Sequence, residues 1–158
     1  MRESFSGKII HYYRTPKRVV YSLFTKNHGV IQLLSKDAKF ALLDSVDVAL
    51  SRRGSTFFLQ DYTIVSPSPL MDVPQNLLPV SYVCSLAKEF VASGESEYLF
   101  LESMTQTAHT VMKNSEVAAL ERLWLKTTGF GRGDESNPSD IILDCLPHLQ
   151  RLRRSFTA

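Results

Sequence analysis

An α+β fold, with a small five-stranded β-barrel followed by an α-helical domain, is what the sequence predicts. Three observations lead there. Over the first 65 residues, short aromatic and β-branched runs alternate with turn residues. From Pro79 onward the apolar residues recur at helical spacing. Between the two lies Ser66-Pro67-Ser68-Pro69, a composition change that marks a junction and divides the chain into residues 1–66 and 67–158.

The first strand is Phe5 to Tyr13, stopped at Arg14-Thr15-Pro16 because proline cannot donate to a sheet ladder. Val19 to Thr25 is the second. Lys26-Asn27-His28-Gly29 supplies a hairpin turn, with Asn and Gly suited to positive φ. Val30 to Ser35 is the third strand. In the fourth, Val46, Val48 and Leu50 alternate with Asp47, Ala49 and Ser51, the period of a half-buried strand. Arg52-Arg53-Gly54 turns the chain into a fifth strand, Ser55 to Val65. There the apolar phase shifts between Phe57/Leu59 and Tyr62/Ile64, as a β-bulge would produce. Five short strands hide their edges most economically in a closed barrel of the OB type, with an open meander as the alternative.

A first helix is expected from Pro79 to Val91, with Val83, Leu86, Ala87 and Phe90 on its apolar face, ending at Gly94. Ser96 reads as the N-cap of a second, with Glu97 in its first turn and a face running from Tyr98 through Leu101, Met104, Thr105, Ala108 and Val111 to Met112. A third spans Ser115 to Thr128, turning Val117, Leu120, Leu123 and Trp124 inward before Gly129. Gly129 to Asn137 is glycine-rich and polar and reads as a mobile loop. Asn137, Pro138 and Asp140 open a fourth helix, and Pro147 interrupts it before Arg151-Leu152-Arg153-Arg154.

Chemistry is sparse. The 158 residues contain no phosphate-binding glycine loop, nucleophile elbow or His-Glu-x-x-His pair, so no enzyme activity and no cofactor are expected. His11, His28, His109 and His148 are scattered, and Cys84 and Cys145 lie far apart, so no metal site is expected. The two cysteines read as buried thiols of a reducing compartment. With no apolar run of membrane-spanning length and no signal-peptide core after Met1, a cytoplasmic protein is expected. Trp124 and the Met104/Met112 pair read as core, and Arg132-Gly133-Asp134 as a chance adhesion tripeptide.

Charge is more telling in its distribution than in its total of +2. Residues 1–66 carry 10 bases and 5 acids; the remainder carries 8 bases and 11 acids. A basic barrel beside an acidic helical half suggests a polyanion-binding face on one side. Single strands are held by a cationic groove with aromatic rings on which bases stack. The turns offer Arg14, Lys17 and Arg18, then Lys36 and Lys39, then Arg52 and Arg53. Tyr12, Tyr13, Tyr21, Phe57, Phe58 and Tyr62 are interleaved, and at most half of them can face outward. The competing reading fills the barrel with these aromatics and leaves the bases solvating loops.

The order of these residues resembles the N-terminal domain of the RecO family. The resemblance lies in Gly7-Lys8-Ile9-Ile10, the turn at Thr15 to Arg18, and the run Val20-Tyr21-Ser22-Leu23-Phe24-Thr25-Lys26-Asn27-His28-Gly29. It continues in Val30 to Leu34, the basic segment Ser35 to Lys39, and loosely in the helix Leu120 to Phe130. It implies an OB fold followed by a helical domain, with no catalytic centre. It further implies binding of single- and double-stranded DNA, strand annealing, and help in loading recombinase onto strands coated by single-strand binding protein, alongside RecR and often RecF. That coat protein's acidic, aromatic tail would meet Arg151, Arg153 and Arg154, or Arg122 and Lys126. The chain departs from the family pattern by its shortness and by Gly131 to Ser136 where relatives carry a cysteine-rich zinc module, which puts RecR contacts of that region in doubt. Pro16-Lys17-Arg18 also stands where relatives commonly place an acid. Two rivals remain: an OB-like adaptor that binds protein alone, and a subunit whose active site is completed by another chain.

Overall fold

The computed structural model describes residues 2–90 and 94–156. Five strands, β1 (Arg2–Arg14), β2 (Val19–Thr25), β3 (Gly29–Ser35), β4 (Ser45–Arg53) and β5 (Thr56–Ser66), form a closed, OB-like barrel in the order β1-β2-β3-β5-β4. Neighbours are antiparallel except β3 and β5, which run parallel and pair only at Leu33–Phe57 and Leu34–Phe58. In β5 the bulge is where the phase shift requires it: Ala49 pairs with Asp61 and Leu50 with Leu59, leaving Gln60 extra. A second bulge, at Ile10, falls in β1. It turns Ile9 into the barrel interior with Leu23, Leu33, Val48 and Leu50, and Ile10 outward. Gly7 sits where β1 lies close against β2; a Cβ there would lie 2.1 Å from the Phe24 carbonyl oxygen.

The helical half comprises α1 (Leu77–Ala87), α2 (Glu95–Thr107), α3 (Asn114–Thr128), α4 (Pro138–Cys145) and α5 (Gln150–Arg154), with 3-10 turns at Pro69–Met71, Pro74–Asn76 and Pro147–Leu149. The first helix starts two residues earlier than the spacing predicts and stops at Ala87, so Phe90 packs from outside it; Val91 lies outside the described residues. Gly94, not Ser96, caps α2, and the Glu97 carboxylate accepts the Gly94 N–H at 2.9 Å. That helix also ends early. The Asn76 side chain donates to the carbonyls of Ala108 and Thr110 and accepts from the Met112 N–H, holding residues 108–112 in a turn that leaves Val111 exposed. The third and fourth helices and the break at Pro147 fall within a residue of expectation.

The barrel wall and the helices share a core. Ile10, Phe24 and Leu43 join Val80, Val83, Phe100, Leu101 and Trp124 in one buried cluster, and the Phe24 ring meets Phe90 edge-on at 6.1 Å. All seven residues of β2 are therefore buried, on both faces. Cys84 lies in this core, its thiol pushed up to about 12 by burial. Cys145, expected to be buried, is the last residue of α4 and is exposed. Among the described residues no cluster of three His, Cys, Asp or Glu side chains could hold a metal, and no helix is long and apolar enough to cross a membrane.

One ion pair is enclosed in the helical layer. Glu121 of α3 is fully buried, and Arg153 of α5 donates to it through Nε at 3.2 Å and Nη2 at 3.3 Å. Tyr82 (2.6 Å) and Ser139 (2.9 Å) donate to the same carboxylate, so α1, α3, α4 and α5 converge on it. Burial, then the Glu121 charge, push the Tyr82 hydroxyl far above its ordinary value and keep it a donor.

The glycine-rich stretch after Gly129 is organised around another carboxylate. Glu135 accepts N–H bonds from Arg132 (2.8 Å) and Gly133 (2.9 Å), and Gly131 donates to the Leu125 carbonyl. The Arg132 N–H, foremost among several donors, holds the Glu135 carboxyl below its ordinary range. A carboxyl so depressed supports the loop above the ordinary carboxylate range and loses that effect as pH falls through its lowered value. The Arg132 and Gly133 amide resonances should therefore titrate together below the usual glutamate range, and Glu135→Gln should abolish that titration in an NMR series.

Candidate nucleic-acid interface

The barrel end near the β1–β2 turn is fixed by side-chain bonds that the sequence supplies locally. Thr15 Oγ1 accepts the Arg18 N–H at 3.0 Å and donates to the Arg18 carbonyl, closing a tight turn that presents Arg18 just before β2. After β3 the chain crosses the barrel end. There the buried Tyr21 hydroxyl accepts the N–H groups of Lys39 (2.7 Å) and Phe40 (3.2 Å), pinning the segment while its lysines stay exposed.

Between this segment, Arg18 and the start of β5 runs a groove of about 480 Å³. Arg18, Lys36, Lys39 and Arg53 line it, opposed by two acids, Asp37 and Asp61. Phe58 and Tyr62 form its aromatic wall. The guanidiniums of Arg18 and Arg53 both lie over the Phe58 ring, at 5.7 and 5.5 Å from its centroid. Such stacking restricts two long side chains in advance, so less freedom is lost when they meet an anion.

Four of the seven expected cations thus converge. Arg14 and Lys17, at the same β1–β2 turn as Arg18, are exposed without lining the groove. Arg52 is directed elsewhere: it lies 3.9 Å from Glu3, donates to the Gly54 carbonyl, and stacks over Phe57 at 5.3 Å. Among the six aromatics, Tyr12, Tyr13 and Tyr62 are exposed, Phe57 and Phe58 half-buried, and Tyr21 buried. OB-folds commonly bind on the face of strands 2 and 3. Here the outer face of β2 is covered, and the cationic groove lies instead on the β3–β5 side.

In the helical half, Arg151, Arg154 and Lys126 are exposed. Arg122 donates through Nε to the Glu135 carbonyl at 2.7 Å and is half-buried. Arg153 cannot meet an incoming tail: it is 5% exposed and committed to Glu121 and Asn114. Sequence reasoning also missed Lys8, whose buried ammonium donates to Ser45 Oγ at 2.7 Å and faces Glu102 at 3.8 Å. Burial lowers its pKa, and Glu102 partly restores it.

No protein-family model and no curated protein matches the chain. Among solved structures, the ZRD-deleted mutant of TiaS in complex with agmatine is similar over 42% of this chain and 21% of its own, with 18% sequence identity and a TM-score of 0.37.

Proposed function

We propose that the chain is a non-enzymatic DNA repair and recombination mediator of the RecO kind, acting in the cytoplasm, whose barrel groove holds the DNA backbone. The observation that carries this reading is the gathering of Arg18, Lys36, Lys39 and Arg53 on one groove, two of them held over Phe58. Phosphate contacts of this kind position a strand without reading its sequence, as annealing and recombinase loading require. Those activities, binding of double as well as single strands, and work alongside RecR rest on the sequence resemblance. The tail of single-strand binding protein would meet the exposed Lys126, Arg151 and Arg154 or the half-buried Arg122.

Affinity for single strands should fall with salt, with a logarithmic slope of about 0.7 per phosphate neutralised. Lys36→Ala with Lys39→Ala should lower that slope by roughly one to two units, about equally for all base compositions. Thermal stability should move by less than about 0.5 kcal/mol, since both side chains are exposed. Arg52→Ala, outside the groove, should leave the slope alone. Equal slopes for the lysine variant and the unmodified chain would defeat the reading.

An adaptor reading is favoured by a different hollow, of about 380 Å³, in the helical half. Its walls are largely apolar, from Phe90, Trp124, Phe130 and Leu146, and its acids, Glu89 and Glu97, oppose an acidic tail. On that reading the salt slope is near zero and the barrel's cations are solvating charge.

A further inference from the structure

Across the pinned segment from the groove, at the junction of barrel and helices, lie two adjoining hollows of about 280 and 230 Å³. They share Tyr12, Leu42 and Leu77. The larger adds His11, Ser81 and Ser85, and no acidic residue lines either among the described residues. Tyr12 is 44% exposed here, as Tyr62 is 39% exposed in the groove. The two belong to one row of rings: Tyr12 to Tyr21 at 6.0 Å, Tyr21 to Phe40 at 5.1 Å, and Phe40 to Tyr62 at 5.1 Å. The middle two are buried, and the Lys39 backbone is bonded to the second of the row.

We propose that this trench is a second subsite, which takes an unpaired nucleobase of the same single strand whose phosphates lie on Lys36 and Lys39. The inference rests on the nucleic-acid reading of the groove and deepens it. The chemistry of the trench suits a base and not a phosphate or a carboxylate. It offers an exposed ring for stacking and an apolar floor at Leu42 and Leu77. Burial, and then the nearby Lys88 ammonium, lower the His11 pKa and so favour the neutral imidazole, which has one donor and one acceptor. Ser81 and Ser85 each donate to the backbone of α1 and keep lone pairs for a ligand N–H. Lys39 lines the groove two residues before Ala41 of the trench, so a strand running from one to the other would pass near it. A base inside a duplex is already stacked and paired, so the subsite serves single strands only.

Tyr12→Leu should weaken binding of oligothymidine by about 5- to 150-fold, the range of one lost base–aromatic stack. The salt slope should be unchanged, because no phosphate contact is removed, and duplex affinity should be unchanged as well. Tyr12→Phe should bind as the unmodified chain does. In parallel, a strand carrying 5-iodouracil should photocrosslink to Tyr12 or His11 of the unmodified chain, read by mass spectrometry. Oligothymidine affinity unaltered in Tyr12→Leu, or crosslinks confined to Tyr62 and the groove, would overturn the subsite while the groove reading stands. Absence of salt-dependent binding in the unmodified chain would remove both.

Discussion

Arg153→Met should destabilise the fold by roughly 3–5 kcal/mol, the cost of leaving a buried charge without its partner. Glu121 has no exposure to water, and Arg153 supplies the cation that faces it. The hydroxyls of Tyr82 and Ser139 would remain as donors but carry no charge. The variant would also lose packing, because the Arg153 guanidinium lies over Tyr82 at 5.7 Å and over Phe156 at 5.1 Å. Replacing both partners, Glu121→Met with Arg153→Met, should recover part of the loss, since well-packed apolar pairs often match buried ion pairs, while the Tyr82 hydroxyl is left without its acceptor. Urea unfolding measures each effect as a shift of midpoint at constant slope. A cost under about 1 kcal/mol for the single change would mean that water reaches Glu121.

Gly7→Ala is the second severe change. The added Cβ would lie 2.1 Å from the Phe24 carbonyl oxygen and 2.8 Å from its carbon, and backbone cannot swing aside as a side chain can. Overpacking usually costs about 1–3 kcal/mol, and this position should reach or exceed the upper end. The damage is placed where two seams meet, because Gly7 pairs with Thr25 of β2 and Val46 of β4. Faster hydrogen exchange at β1 and β2 amides, with a lower melting temperature, would report it. A variant that melts like the parent would show that β1 shifts freely at this crossing.

Strands were legible because their determinants are local. The flanking turns, Arg14-Thr15-Pro16 and Lys26-Asn27-His28-Gly29, place Val19–Thr25 to the residue, and the broken phase of β5 reveals its bulge. The bulge at Ile10 left no such trace, since Lys8-Ile9-Ile10 reads as an unbroken strand whichever side each residue faces. Lys8 drew no notice and Arg153 read as a base for an acidic tail because their anions, Glu102 and Glu121, come from far along the chain. The Arg52/Arg53 pair shows the same limit inside the site. One of two adjacent arginines is claimed by Glu3 from a neighbouring strand, and only the other reaches the groove. Phe40, which links Tyr21 to Tyr62, carried no signal beyond opening the apolar run Phe40-Ala41-Leu42-Leu43.

The parallel contact of β3 with β5 closes the barrel with two paired positions, where every other seam has seven or more. Local opening favours the parts of a fold held by the fewest contacts, and this seam forms part of the groove wall through Leu34 and Phe58. Arg18 and Arg53 flank it, one just before β2 and the other at the end of β4, both stacked on Phe58. A polyanion bridging them ties the two edges of the seam like a clasp. If the groove holds a strand as proposed, that strand would oppose the parting of these two rungs of backbone, and hydrogen exchange of the amides on either side would slow on binding.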